Sequence, residues 1–256
     1  MIDSHCHLDA AEFDNDRDAV LAHALEVGVT GIVVPGVERA NFAAVASLAR
    51  EYPECHAAYG IHPLYVDRAQ ESDLQALRAM LAGGAAVAVG EIGLDRFVEP
   101  RDEAKQAYYF AEQLKVAKEF GLPVVLHVRR AIDAVLKELR QMRLSGGIAH
   151  AFNGSRQQAD EFIKLGFVLG FGGAMTFPRA LRIRELATTL PLEAIVLETD
   201  APDISPHWLD GQRNSPDQLL RIAQTLAELR SITVAEVIAA TNKNAIRALP
   251  RLAALH

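Results

Sequence analysis

The sequence contains only two cysteines, Cys6 and Cys55, among its 256 residues. Two cysteines give no disulfide framework, which favours a reducing, cytoplasmic setting. No apolar run approaches the roughly 20 residues that a membrane-spanning helix needs. The first residues also lack the basic and apolar regions of a signal peptide. We therefore expect a cytoplasmic protein with no membrane partner.

The sequence also lacks the positive charge that nonspecific binding to duplex DNA requires. Its formal net charge is −7, whereas duplex-binding proteins present a basic surface to the phosphates. This charge still allows an enzyme that holds one or two phosphates locally. The apolar content of 50% is ample for a large core. Because no linker or low-complexity tract divides the chain, residues 1–256 are predicted to form a single domain.

Short apolar runs alternate with longer amphipathic stretches along the whole sequence. The predicted strands are Ile2–His5, Gly31–Pro35, Ala57–Gly60, Val87–Glu91, Pro123–His127, Gly147–His150, Phe167–Phe171 and Ile195–Thr199. The predicted helices are Asp16–Glu26, Arg39–Glu51, Ser72–Leu81, Asp102–Phe120, Ala131–Met142, Ser155–Leu165, Arg179–Thr189, Pro216–Arg230 and Val234–Leu249. Apolar strands separated by helices indicate parallel βαβ units, and eight of them predict a single α/β-class (β/α)8 TIM barrel. A doubly wound open sheet, the alternative, usually has fewer strands and a glycine-rich loop after the first.

Histidines are concentrated at the predicted ends of these strands. His5 and His7 follow the first strand two positions apart, so their side chains share one face while Cys6 points the other way. In a TIM barrel the carboxyl ends of the strands meet on one face, where reactive groups gather. Five of the nine histidines fall there, with two carboxylates: His5, His7, His62, Glu91, His127, His150 and Asp200.

These donor groups outnumber what one tetrahedral zinc ion needs, so we expect two divalent metal ions. The predicted metal ligands are His5, His7 and Asp200 for one ion, His127 and His150 for the other, and Glu91 as the bridge. Nitrogen and oxygen donors without thiolate suit Zn, Mn or Mg, and the sequence does not choose among them. Such a site favours hydrolysis. The predicted catalytic residues are Asp200, Glu91 and His62.

Seven motifs extend from the first predicted strand to the last. They are Asp3-Ser4-His5-Cys6-His7-Leu8-Asp9, Gly60-Ile61-His62-Pro63, Gly90-Glu91-Ile92-Gly93-Leu94-Asp95, Leu122-Pro123-Val124-Val125-Leu126-His127-Val128-Arg129, His150-Ala151-Phe152-Asn153-Gly154, Glu198-Thr199-Asp200-Ala201-Pro202 and Arg213-Asn214-Ser215-Pro216. Together they resemble the TatD-like metal-dependent deoxyribonucleases of the amidohydrolase superfamily. The resemblance implies the same six metal ligands and a deoxyribonuclease, expected to be of the 3′-5′ exonuclease type. Other branches of the superfamily place a carboxylated lysine where this chain has Glu91.

The loops above the site depart from the family's usual pattern. Leu64 stands where many members have histidine, Arg96 stands where an aromatic residue is common, and Ala151 stands where many have cysteine. The metal ligands of the family are all present in this sequence, but the loops that would face the substrate differ from the family's pattern. These departures therefore concern the choice of substrate, whereas the hydrolytic chemistry depends on the metal ligands.

Three arginines are candidate substrate-binding residues. Arg129 and Arg96 are predicted to hold a phosphate, and the alternative for Arg129 is a salt bridge to a carboxylate such as Asp95. Arg213 lies in the loop after the last strand, where loop packing is the alternative to a substrate contact.

Three functional hypotheses remain open from the sequence. The first is a monomeric phosphodiesterase that acts on DNA ends, short single-stranded DNA or a small phosphoester. The second is a metal-dependent amidase, lactonase or esterase of small molecules, in which the arginines bind a substrate carboxylate. The third is a noncatalytic metal-binding or scaffold protein. The complete set of ligands disfavours it, because unpaired buried charges destabilise a fold.

Overall fold

A computed structural model describes residues 1–254, in which eight parallel strands form a barrel surrounded by helices. The strands are β1 (Ile2–Asp3), β2 (Gly31–Pro35), β3 (Cys55–Tyr59), β4 (Ala88–Asp95), β5 (Val124–Arg129), β6 (Gly147–Ala149), β7 (Phe167–Phe171) and β8 (Ile195–Leu197). Each strand pairs in parallel with the next one along the chain, from β1 to β8. This topology confirms the predicted (β/α)8 TIM barrel.

Helices connect the strands and cover the outside of the barrel. They are α1 (Arg17–Glu26), α2 (Phe42–Glu51), α3 (Glu71–Ala82), α4 (Glu103–Phe120), α5 (Ile132–Met142), α6 (Arg156–Lys164), α7 (Leu181–Thr189), α8 (Leu219–Arg230) and α9 (Val234–Ala248). Short 3-10 turns at Arg39–Asn41 and Pro216–Gln218 account for the earlier starts that the sequence predicts for α2 and α8. Across residues 1–254, no helix is long and apolar enough to span a bilayer.

Local sequence explains where several helices begin and end. The Thr233 hydroxyl accepts a hydrogen bond from the backbone N–H of Glu236, and the Glu236 carboxylate accepts one from the N–H of Thr233. This reciprocal pair starts α9. Gly121, with a φ of 62°, ends α4 in the left-handed conformation that glycine adopts without steric cost.

The core has an inner and an outer part because successive strand residues point to opposite faces. Outward-facing residues such as Ile32 and Val34 pack under the helices, whereas Val33 lies inside the barrel. The inner cluster also contains Ala245 and Ala248 of α9. Therefore α9 covers the amino-terminal end of the barrel, and the opposite end is left for the site.

Hydrogen bonds between β1 and β8 close the barrel. The backbone N–H of Ser4 donates to the carbonyl of Leu197 over 3.0 Å. The buried Asp3 carboxylate accepts from the N–H of Thr199 at 2.9 Å and from its hydroxyl at 2.6 Å. We call these contacts the β1–β8 seam. It places the residues that follow β1 beside those that follow β8.

The prediction that the fourth strand ends at Glu91 and the fifth at His127 is wrong. β4 continues to Asp95, and β5 continues to Arg129. The pairing register of the two strands shifts at a bulge between Val89 and Ile92, and the strands remain paired beyond it. Gly93 permits this pairing, since a Cβ there would lie 1.8 Å from the carbonyl oxygen of His127. A bulge redirects a strand's side chains, and this one aims Glu91 into the barrel mouth.

Candidate metal centre

The predicted donor residues lie together at the bottom of a cavity at the carboxyl ends of the strands. The cavity has a volume of about 1470 Å³. Its floor includes His7, His62, Glu91, His127, His150 and Asp200, and His5 is fully buried beside them. The structure thus brings together all seven residues that the sequence placed at the strand ends.

Glu91 lies between two groups of imidazoles. Its Oε2 atom is 3.2 Å from Nε2 of His5 and 3.4 Å from Nε2 of His7. Its Oε1 atom is 2.9 Å from Nδ1 of His127 and 3.5 Å from Nε2 of His62. Each carboxylate oxygen therefore faces a different pair of histidines, as a bridging ligand requires.

Asp200 and His150 join the first of these groups. Oδ1 of Asp200 lies 3.5 Å from Nε2 of His5, 3.8 Å from Nε2 of His7 and 3.4 Å from Nε2 of His150. The rings of His5 and His150 are stacked, with centroids 3.6 Å apart. The structure therefore places His150 beside His5. The sequence had instead grouped His150 with His127.

The spacing of the donors fits divalent metal ions. Two nitrogens bound tetrahedrally to one zinc ion at 2.0–2.1 Å lie about 3.3 Å apart. The donor atoms form three overlapping sets, and the atoms within each set lie within 4.8 Å of one another. The sets are His5, His7 and Asp200; His5, Glu91 and His150; and His62, Glu91 and His127. The third set shows that His62, predicted as a catalytic contact, is positioned as a donor group.

Burial and neighbouring charges together set the pKa values of Glu91, His5 and His62. Burial acts to raise the pKa of Glu91, but the surrounding histidines, chiefly His5 and His62, hold it well below its usual range. Burial and the nearby His150 hold the pKa of His5 well below its usual range. Burial and the charge of His127 lower the pKa of His62 to about 4. An ionised Glu91 thus faces two neutral imidazoles, which is the protonation state that metal binding needs.

The other members of the first group, which are His7, His150 and Asp200, have raised pKa values. Burial alone would lower the pKa of His7, but Glu91 and Asp200 raise it to about 9. The charges of Glu198 and Asp200 likewise overcome burial and raise the pKa of His150 to about 10. Burial raises the pKa of Asp200 to about 6. Protonated imidazoles therefore offset the buried carboxylates when no metal ion is bound.

Asp95 contacts a predicted metal ligand, an arrangement that the sequence reasoning missed. Its Oδ2 atom lies 2.9 Å from Nε2 of His127, whose other ring nitrogen faces Glu91. Burial would raise the pKa of Asp95, but its hydrogen bonds with His127 and with the N–H groups of Phe97 and Val98 hold it below its usual range. A carboxylate on the far side of a histidine fixes the ring's orientation and tautomer.

Glu198 lies in the corresponding position beside His150, at ion-pair distance. Its Oε1 atom lies 3.0 Å from Nδ1 of His150 and accepts a hydrogen bond from the N–H of Ala151. Gly170 leaves room for this carboxylate, because a Cβ there would lie 2.1 Å from Oε2 of Glu198. In the sequence, Glu198 lies in the predicted strand Ile195–Thr199 two residues before Asp200, and that spacing was the signal available for it.

The segment that carries Asp200 is held by a buried asparagine. Asp200 has a left-handed backbone, with a φ of 58°. The Asn214 side-chain amide donates to the carbonyls of Thr199 and Asp203 over 2.8 and 2.9 Å. These bonds satisfy backbone groups that the tight turn leaves without partners, so Asn214 helps to fix the position of Asp200.

The structure does not bring all three predicted substrate-binding arginines to the cavity. Arg213 lies outside the cavity lining, because Asp16 pairs with its guanidinium at 2.6 Å and the carbonyl of Glu12 accepts another of its N–H groups. Arg129 and Arg96 do line the cavity. Arg96 is exposed and its Nε atom lies 3.2 Å from Glu103.

Comparisons with known proteins identify the family. The family model described as TatD related DNase matches residues 2–250. The "Uncharacterized metal-dependent hydrolase YjjV" of Escherichia coli K12 is 42% identical over 247 residues, which is 95% of each chain. The "3'-5' ssDNA/RNA exonuclease TatD" of Erwinia tasmaniensis is 33% identical over 255 residues, covering 96% of this chain and 98% of that protein.

A solved structure gives the same result. The crystal structure of YjjV, described as a TatD homolog from E. coli K12, superposes with a TM-score of 0.94 and 40% identity. The superposition covers 98% of both chains. These matches confirm the resemblance that the seven motifs carry. The chain therefore belongs to the TatD-related DNase family of metal-dependent hydrolases.

Proposed function

We propose that this protein is a metal-dependent phosphodiesterase that removes nucleotides from the ends of single-stranded DNA by means of two divalent ions. The observation that carries the proposal is the position of Glu91, whose two oxygens face two different groups of histidines. His5, His7, His150 and Asp200 would hold one ion, and His62 and His127 the other, with Glu91 shared. The similarity to an enzyme named as a 3'-5' ssDNA/RNA exonuclease supports the choice of substrate.

A pair of bound ions would supply Lewis acidity to the phosphoryl oxygens and would lower the pKa of water. The residues of the chain provide the rest. The carboxylate of Asp200, whose pKa burial raises to about 6, lies at the cavity floor and is suited to accept a proton near neutral pH. Burial of these groups also strengthens every electrostatic interaction among them.

The cavity wall supports a phosphodiester substrate. Arg96, Arg129, Arg130 and Arg182 line it, on the side formed by β4, β5 and the start of α7. Guanidinium groups match the oxygens of a phosphate with pairs of donors. These four arginines place positive charge on one side of the cavity, although the protein has a net charge of −7.

The opposite wall supports cleavage at a strand end. Asp9, Glu12 and Glu38, from the segments after β1 and β2, line the cavity across from the arginines. Carboxylates repel a polyanion, so the arginine side offers a nucleic acid strand the more favourable path. A nucleic acid strand that leaves the site in only one direction must have its end at the site.

Metal analysis coupled to product sizing tests this proposal. We expect the purified protein to contain two divalent ions and to shorten a 5′-labelled single-stranded oligonucleotide one nucleotide at a time from its 3′ end. Internal fragments would indicate an endonuclease instead. Lactone, ester and amide substrates should be assayed in parallel, because cleavage of these alone would reject the phosphodiesterase proposal in favour of carbonyl chemistry.

The carboxylates behind the histidines give a further prediction. Asp95→Asn and Glu198→Gln should each weaken metal binding by about 10–100-fold, the usual effect of removing an outer partner of a metal ligand. Each change keeps the size of the side chain and leaves His127 or His150 in place. Equilibrium dialysis measures the affinity, and metal-free melting temperatures control for folding. An unchanged affinity in both variants would contradict the orienting role.

Metal binding should release protons. At neutral pH the metal-free protein holds protons on His7 and His150, because their pKa values are raised to about 9 and about 10. A histidine must lose its proton to bind a metal, so affinity should rise with pH until the pH exceeds the pKa values of both groups, at about 10. Calorimetric titrations in buffers of different ionisation enthalpy count the released protons. A pH-independent affinity without proton release would be inconsistent with this assignment.

A further inference from the structure

The cavity wall next to β4 and β5 carries an exposed aromatic ring with two arginines stacked on it. Phe97 is 43% exposed. The guanidinium carbons of Arg129 and Arg130 lie 3.7 Å and 4.5 Å from the centre of its ring. All three residues line the cavity above the metal-binding residues. We refer to Phe97, Arg129 and Arg130 as the arginine platform.

The stacked arrangement leaves the platform ready to bind an anion. A guanidinium that stacks on an aromatic face keeps its N–H donors directed outward in its own plane. Within residues 1–254, neither Arg129 nor Arg130 has a carboxylate oxygen within 4.0 Å of its side chain. Both charges lie close to one ring and repel each other, and a bound anion would offset that repulsion.

The backbone holds Arg130 at this place at some cost. Its φ of 56° is in the left-handed region, which residues other than glycine, asparagine and aspartate seldom adopt. Such conformations persist where the surrounding structure imposes them, and they are frequent at binding sites. The turn at Arg130 follows the last residue of β5 directly and keeps its side chain at the cavity wall.

Asp95 connects the platform rigidly to the metal centre. One of its oxygens contacts Nε2 of His127, and the other accepts hydrogen bonds from the N–H groups of Phe97 and Val98. On β5, Arg129 follows His127 by two residues, which advances the strand by about 7 Å. That advance is comparable with the separation of successive phosphates in an extended single strand.

We propose that the arginine platform binds the phosphate next to the one being cleaved and thereby selects single-stranded oligonucleotides over substrates with one phosphate. The inference rests on the proposed phosphodiesterase function. The cavity volume of about 1470 Å³ exceeds the roughly 300–1,000 Å³ of usual small-molecule sites, so more than one nucleotide fits. The carboxylates of the opposite wall leave the platform side as the path of the strand.

Arg130→Ala and a matched control, Arg143→Ala, test the platform. Arg143 is also an exposed arginine with a left-handed backbone, with a φ of 53°, but it lies at the end of α5 and outside the cavity lining. The two variants therefore remove the same charge at positions that share the same left-handed backbone. Phe97→Leu is a third variant, which removes the aromatic face and keeps an apolar side chain.

Binding is measured first, by fluorescence anisotropy of a labelled thymidine tetranucleotide with the protein in EDTA. Arg130→Ala should raise Kd about tenfold, the loss expected for a charge-assisted contact, and should reduce the slope of log Kd against log salt by about 0.7. Phe97→Leu should raise Kd less, and Arg143→Ala should match the wild type. If the wild type binds no tetranucleotide, or if both arginine variants behave alike, the platform inference is wrong.

Cleavage distinguishes this inference from the proposed function. With metal present, Arg130→Ala should lower the ratio of kcat/KM for the tetranucleotide to kcat/KM for bis(p-nitrophenyl) phosphate about tenfold. An equal loss on both substrates would overturn the selective role of the platform. Failure of the wild type to cleave either substrate would reject the phosphodiesterase proposal, while the binding result would still decide whether the platform recognises an oligonucleotide.

Discussion

Replacing Glu91 with glutamine should reduce metal-dependent cleavage at least about 1,000-fold, a larger loss than the 10–100-fold typical of outer partners of a metal site. The variant keeps the side chain's size and removes its charge. In the structure, one Glu91 oxygen faces His5 and His7, and the other faces His62 and His127. A single substitution therefore weakens both groups of donors.

The measurement is kcat on a single-stranded oligonucleotide together with the metal content of the purified variant. We expect fewer than two ions for each chain and a native circular dichroism spectrum. Glu228→Gln is a suitable control because Glu228 is an exposed residue of α8, outside the cavity lining. Normal activity in Glu91→Gln with two ions still bound would falsify the bridging role.

Asp200→Asn should also remove nearly all activity, with an expected loss in kcat of about 1,000-fold or more. The carboxylate lies within 3.8 Å of the ring nitrogens of His5, His7 and His150, so its loss affects both the ligand set and the acceptance of a proton. Asparagine tolerates the left-handed backbone at this position, so the turn should survive.

Asp210→Asn provides a matched control for this substitution. Asp210 also has a left-handed backbone, with a φ of 48°, but it is exposed and lies outside the cavity lining. Comparing the two variants separates the chemical role of Asp200 from the conformational effect of the substitution. If Asp200→Asn retains wild-type kcat and metal content, Asp200 neither binds metal nor accepts a proton.

The sequence predicts the barrel and the donor residues because both follow from short-range patterns. Apolar strands recur between amphipathic helices, and β2 and β7 have the predicted bounds. The donors were recognisable because a parallel barrel gathers its strand ends on one face, whatever the distance in sequence. His5 and Asp200 could thus be assigned to one site without knowledge of any contact.

The arrangement of the donors was not predictable in the same way. Gly90 and Gly93 are compatible with a bulge but do not by themselves predict that β4 continues past it, so Glu91 was expected at a strand end rather than within a longer strand. The partnership of His150 with His5, and of His62 with His127, depends on ring positions across the barrel. Such distances between strands are set by the tilt and stagger of the whole barrel.

The contacts of the arginines were likewise not predictable from the sequence. Arg129 and Arg213 both follow strands that carry donor residues, and the sequence treated them alike. Arg213 pairs with Asp16, which comes from the segment before α1, whereas Arg129 has the ring of Phe97 as its neighbour. These partners are distant in sequence or belong to loops, where spacing alone does not determine contacts.

The β1–β8 seam has a consequence for how the chain folds. Asp3 and Thr199, which bond across it, are 196 residues apart in sequence. A metal ion held jointly by His5, His7 and Asp200 would cross-link a loop of about this length, and opening the seam while the ion stays bound would then release less chain entropy. Binding of a metal ion would thus fasten the two ends of the sheet together and resist opening of the barrel at the β1–β8 seam.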